Sequence, residues 1–237
     1  MFIRSRKPTE AATIPLEIGG LRVRPSARAK RMGLRVEART GDVVFTWPLK
    51  SRLTPDRALK FIEDNRGWIA QQKSQAVAPK IFAPGAVVPV GGKNYTIVHA
   101  AGRGLTRFED DRLIVHGQPE HVARRVKDFL KGVALDTLTR LTQEKSASLG
   151  LKNASVRILD PKSRWGSCAP GGRIMYSWRL ILAPYAVMDY VVAHEVAHRV
   201  HMDHSRQFWR VCVTLAPKSR ECRAWLRREG RELLAWR

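Results

Sequence analysis

The sequence predicts an α+β protein, with a β-rich region over residues 1–118 followed by a helical region over 119–237. Three observations predict it. Short apolar runs separated by Gly, Pro and Asp turns fill the first half. From Pro119 the apolar period changes to that of a helix, and Pro184 then opens an apolar helix carrying His194, Glu195 and His198.

Taken in order, "GLRVRPS", "LRVEA" and "VVFTWP" are strand-like, and the last two flank the turn signal "RTGD". Thr54 is placed to cap a helix with Pro55 at its first position, and Ala58, Phe61, Ile62, Trp68 and Ile69 recur at helical spacing within it. After "APGAVVPV" the chain predicts a hairpin across Gly91 and Gly92 into "NYTIVH", and a second across "EDD" into "RLIVHG". Val122, Val126, Phe129, Leu130, Val133, Leu138 and Leu141 then mark a long amphipathic helix that ends near Gly150. A strand "SVRIL", the compact segment "DPKSRWGSCAPGGR" and a strand "IMYSWRLIL" lead to the histidine helix. Two further helices are expected in "SRQFWRVCVTL" and "RECRAWLRREGRELLAW", the first capped by Asp203. The change of composition near residue 118 is read as a domain boundary.

Composition narrows the function classes. The formal net charge is +22, and it is no detachable tail: residues 1–118 carry 21 Lys+Arg against 10 Asp+Glu, and residues 119–237 carry 22 against 11. Charge spread this evenly suits a polyanionic partner such as nucleic acid or nucleotide phosphate, and it equally suits a solvated basic surface. Cys168, Cys212 and Cys222 cannot all pair within the chain and none forms a C-x-x-C pair, which fits a reducing compartment. The opening "MFIRSRKPTEAATIP" lacks the apolar run of a signal peptide, and the most apolar window is broken by Pro184 and Asp189. A cytoplasmic protein with no membrane span is expected.

His194, Glu195 and His198 form H-E-x-x-H, and on a helix the i and i+4 imidazoles project from one face, close enough to share one ion. Val187, Met188, Val191, Val192, Val196 and Val200 supply an apolar backing. The third ligand is a choice between His201 and His204. His201 points nearly the same way as His194, but it lies about 10 Å further along the axis, whereas the ion sits only about 3 Å along, and a Zn–N bond is close to 2 Å. "MDHS" breaks the helix and lets His204 fold back, so His204 is preferred. His201 is left as a supporting, substrate-facing or exposed residue.

Three neutral nitrogens leave one coordination position to water, the arrangement of a catalytic zinc site with one ion per chain. Glu195, beside the ligands and not one of them, is placed to act as the general base and to pass the proton to the leaving group.

At these residues the chain resembles the YgjP-like metallopeptidases, relatives of the SprT-like and wider zincin group. "RPSARAKRMGLRV", "KSRWGSC", "WRLILAP", "DYVVAHEVAH", "HMDHSRQFW" and a closing "WL" follow that family's pattern in order, over nearly the whole chain. The resemblance implies zinc ligation by His194, His198 and His204, catalysis by Glu195, and a minimal zincin-like domain whose sheet edge aligns an extended peptide or protein substrate. Asp203 and Ser177 stand where the pattern often has Asn, and Val196 where it has Leu.

Beyond the histidines, Arg164 is a candidate to orient a substrate carboxylate or phosphate and Trp165 to wall the cleft, against a structural role for Trp165, Cys168 and a turn at Gly166. Tyr176, Tyr190, His201 and Arg164 are candidate transition-state donors. Trp209, Trp225 and Trp236 read as core anchors. Two other functions fit the same residues. One is a metal-dependent nucleotide phosphoanhydride hydrolase, motivated by the basic surface, although no acidic cluster suited to magnesium is visible. The other is a nucleic-acid-associated protein that delivers proteolysis to DNA-bound targets, in which "RPSARAKRMGLR" grips phosphate.

Overall fold

The computed structural model describes residues 14–37, 40–74, 77–161 and 164–237. Most of the opening segment, Arg39 of the "RTGD" turn, and Lys162 and Ser163 of "KSRWGSC" lie outside the described residues. The architecture is mixed α and β, with six α-helices and three small sheets among the described residues. It divides into two compact units, residues 1–76 and 77–237.

In the first unit, β1 (Glu17–Ile18), β2 (Leu21–Ser26), β3 (Gly33–Val36) and β4 (Val43–Pro48) form one sheet in the order β1-β2-β4-β3. β3 and β4 are antiparallel, as expected of strands flanking a turn, and β2 runs parallel to β4. Thr54 caps α1 (Pro55–Asp64) by accepting a hydrogen bond from the Arg57 amide. The expected single helix is two, because Asn65 ends α1 before α2 (Arg66–Ser74) starts. Its side-chain amide donates to the Phe61 carbonyl at 2.8 Å, competing with the backbone ladder.

The second unit starts with β5 (Val87–Val90), β6 (Lys93–Ala100), β7 (Arg107–Glu109) and β8 (Arg112–His116), ordered β5-β6-β8-β7. Both expected hairpins form, the second turning through Asp110 at φ 54°. The unit boundary at 76/77 differs from the composition change near 118, and packing gives the reason. Val88, Ile97, Leu113 and Val115 of this sheet share one core with Val122, Val126 and Leu130 of α3 (Val122–Ser148). The change near 118 marks a switch from strands to helix inside one core.

β9 (Val156–Leu159), β10 (Gly166–Cys168) and β11 (Ile174–Ser177) make the third sheet, with β11 central, parallel to β9 and antiparallel to β10. "IMYSWRLIL" is only half a strand. Ser177 accepts from the Arg179 amide and starts a 3-10 turn over Trp178–Leu182, in which every residue is buried. α4 (Tyr185–Ala197) follows Pro184 and is buried almost all round, packing against α3, α5 (Arg206–Leu215) and α6 (Ser219–Leu234). Val200, expected in the apolar backing, is exposed beyond the helix end. Arg179, 1% exposed, hydrogen-bonds Asp160 and the Trp236 carbonyl and so fixes the chain just after α6. Trp236 is a core anchor as expected, stacked on Phe82.

Candidate metal centre and its cleft

α4 ends with His198 in the capping position, so His194 and His198 stand one turn apart at its last turn. The chain then reverses. Asp203 does not cap α5: its carboxylate accepts from the Ser205 amide at 3.1 Å, and Ser205, two residues nearer the helix, caps by accepting from the Phe208 amide. These two polar turns bring His204 back to α4, where its Nε2 lies 3.2 Å from Nε2 of His194. The three ring nitrogens lie within 4.8 Å of one another. Two nitrogens on a tetrahedral zinc with bonds near 2 Å stand about 3.3 Å apart. The His194–His204 pair has that spacing, and the trio as a whole is gathered closely enough to be a candidate for such an ion.

His201 is half-buried, and its ring is not part of the trio; its carbonyl takes the Nδ1 proton of His198 at 3.1 Å. That bond fixes the tautomer and leaves Nε2 of His198 facing its partners. Phe208, fully buried, lies under all three imidazoles with ring centroids 4.5–4.9 Å away. Trp209 stands beside them, 5.8 Å from His194 and 5.9 Å from His204, so it belongs to the site wall as well as to the core.

Electrostatics match the geometry. Burial, aided by the neighbouring imidazoles and Arg223, pushes His194 down to about 4, so it is neutral near pH 7, as a ligand must be. Burial also lowers His198. The same desolvation acts in the opposite sense on Glu195, 5% exposed, whose carboxyl is pushed up to about 7.

Glu195 is held against β10. A Cβ placed on Gly166 would fall 2.5 Å from Oε1 of Glu195 and 2.7 Å from its Cγ. The glycine of "SRWGSC" is thus required by close approach of this side chain, and not by a turn. Trp165 does wall the cleft, with Gly166, Tyr190, Val191, His194 and Glu195, opposite Arg223, Leu226 and Arg227 of α6. The cleft encloses about 290 Å³.

Other candidates stand elsewhere. Tyr176 is fully buried with its hydroxyl 3.0 Å from Thr142 Oγ1, and burial pushes the phenol up, so the structure withdraws it from the cleft. Arg164 is exposed and is not among the cleft-lining residues. Tyr190 does line it, 6.1 Å from the His194 ring, pushed up to about 12 by burial. Burial raises the Cys168 thiol, which disfavours a thiolate nucleophile. Phe208, Arg223, Leu226 and Arg227 were not legible as site residues, since each looks like ordinary amphipathic helix. Their one signal is position: Phe208 follows His204 by a helical turn, and 223, 226, 227 and 230 share one helix face.

Three imidazoles beside a buried carboxyl group make a candidate metal centre. Residues 30–229 match the YgjP-like metallopeptidase domain, and the chain belongs to that family. Among solved structures it is similar to the metallopeptidase zymogen abylysin of Pyrococcus abyssi, at 23% identity over 38% of this chain and 93% of that one, with a TM-score of 0.35. No curated protein matches the sequence. Among the described residues no helix is long and apolar enough to cross a membrane.

Gly166→Ala is expected to displace the Glu195 carboxylate and lower turnover on the order of 10²-fold with the fold intact, measured by steady-state kinetics beside circular dichroism. Stability supplies a second test. A buried carboxyl whose pKa is raised on folding weakens the fold as pH climbs from 4.5 towards about 7. In chelator-treated protein at pH 8, Glu195→Gln should therefore gain on the order of 3 kcal/mol, and the gain should vanish near pH 4, as read by denaturant unfolding.

Proposed function

We propose that the protein is a zinc-dependent metallopeptidase of minimal zincin-like design, with His194, His198 and His204 as ligands and Glu195 as general base. The observation that carries this reading is the convergence of three ring nitrogens beside one buried carboxyl group. Zinc held there would supply an electrophile that polarises a carbonyl and acidifies water.

The chain's own residues do the rest. Glu195, with its affinity for protons matched to neutral pH, takes a proton from the attacking water and returns it to the departing amine nitrogen. Gly166 keeps that carboxylate in place by yielding the space a Cβ would fill. β10 lies at the edge of its sheet and packs on α4, so an extended peptide could add to it as a further strand and pass its carbonyl beneath the imidazoles. Tyr190, which lines the cleft, is the candidate hydrogen-bond donor for the developing oxyanion, a role that Tyr176 cannot fill from the core.

A second reading concerns partners. Arg31, Arg52 and Arg57 gather around one groove of the first unit, which favours contact with a polyanion there and so proteolysis near nucleic acid. Affinity for a single-stranded oligonucleotide should then fall steeply with salt, measured by fluorescence anisotropy, and indifference to salt would contradict it.

For the main reading, the zinc-loaded protein should cleave members of a peptide library. Glu195→Gln should keep one zinc per chain while turnover falls about 10²–10⁴-fold, and His204→Ala should lose the metal. Hydrolysis confined to a nucleotide panel would contradict the assignment.

A further inference from the structure

One wall of the cleft is a single face of α6. Residues 223, 226, 227 and 230 are spaced three or four apart, and this face opposes Trp165 and α4. Gly230 lets the Trp165 indole lie close: a Cβ there would stand 3.0 Å from Cζ2 of Trp165. Leu226, Val191 and Trp165 give the cleft apolar sides. Two guanidiniums, from Arg223 and Arg227, border the same space.

What distinguishes these two cations is their place, together on the cleft wall. Arg228, on the same helix, is paired with Glu229 at 2.6 Å, and Lys80 reaches Glu232 at 2.7 Å. Arg223 and Arg227 have no acidic partner among the described residues. Arg223 lies over the Trp209 ring with its Cζ 5.3 Å from the centroid, and among the described residues no hydrogen bond or ion pair engages its N–H donors. Its charge also reaches His194. Among the described residues lining the cleft, Glu195 is the one carboxylate, and it lies against Gly166.

We propose that this cleft is a specificity pocket for an acidic side chain beside the scissile bond of a peptide. The methylenes of Glu or Asp would lie against Trp165 and Leu226, and its carboxylate would accept forked hydrogen bonds from Arg223 and Arg227. The proposal rests on the metallopeptidase reading. It goes beyond it by naming the substrate class and two residues that set it. A nucleotide phosphate is the less suitable occupant, since two guanidiniums offset by Glu195 match one carboxylate better than a chain of phosphates.

The test uses capped peptides Ac-Ala-Ala-Xaa-Ala-Ala-NH2, with Glu, Gln, Leu or Lys at Xaa, together with inorganic pyrophosphate. Binding to the full-length, zinc-loaded Glu195→Gln protein is measured by calorimetry, and cleavage by the otherwise unaltered enzyme is measured in parallel. The Glu peptide should bind about tenfold or more tightly than the Gln peptide. Arg223→Gln and Arg227→Gln, both at exposed positions, should bring that ratio close to one, whereas Arg228→Gln, exposed on the same helix but outside the cleft lining, should leave it unchanged. Equal binding of the Glu and Gln peptides, a preference for Lys, or Arg-dependent binding of pyrophosphate in place of peptide would overturn the pocket. Selective binding without any cleavage would uphold the pocket and defeat the peptidase reading; cleavage with no acidic preference would do the reverse.

Discussion

Everything at this site depends on bringing a third imidazole back to a helix that already carries two. One helix can offer His194 and His198 from a single face, but its rise of about 1.5 Å per residue carries any later histidine out of reach. The helix must therefore stop and the chain must return. Ending α4 at His198, the Asp203 and Ser205 turns, and the start of α5 achieve this within six residues, and Phe208 then supplies a common floor for the three rings. The His201 carbonyl, inside that reversal, orients His198. The loop thus delivers one imidazole and aligns another.

Burial is the second constraint, and it works on opposite charges in one place. Removing water disfavours whichever form of a group is charged, so it holds His194 neutral while holding Glu195 protonated to higher pH. A candidate ligand that does not compete with protons and a candidate base with a raised pKa come from the same apolar surroundings. Such a carboxylate weakens the metal-free fold, and the absence of a side chain at Gly166 is what allows it to be packed there at all.

Periodic elements were legible in the sequence: the strands around the "RTGD" turn, both later hairpins, α3 and the histidine helix all appear where apolar spacing and turn residues place them. That His204 and not His201 gathers with the other two ring nitrogens was legible too, because axial distance along a helix is simple geometry. What depended on tertiary contact was not. Asn65 breaks a helix by a side-chain bond, Ser177 starts a 3-10 turn inside an apolar run, and Tyr176 is drawn inward by Thr142. Gly166 resembled a turn residue because nothing in the sequence says which side chain will lie against it. Arg223 and Arg227 resembled any basic helix face until α6 was seen to border the cleft.

X-ray absorption at the zinc edge on the purified, metal-loaded protein tests the central claim most directly. The arrangement predicts one zinc per chain with three imidazole nitrogens and one further light atom near 2 Å. A first shell containing sulfur, fewer than three imidazoles, or an unchanged spectrum when His204 is replaced by Ala would contradict it.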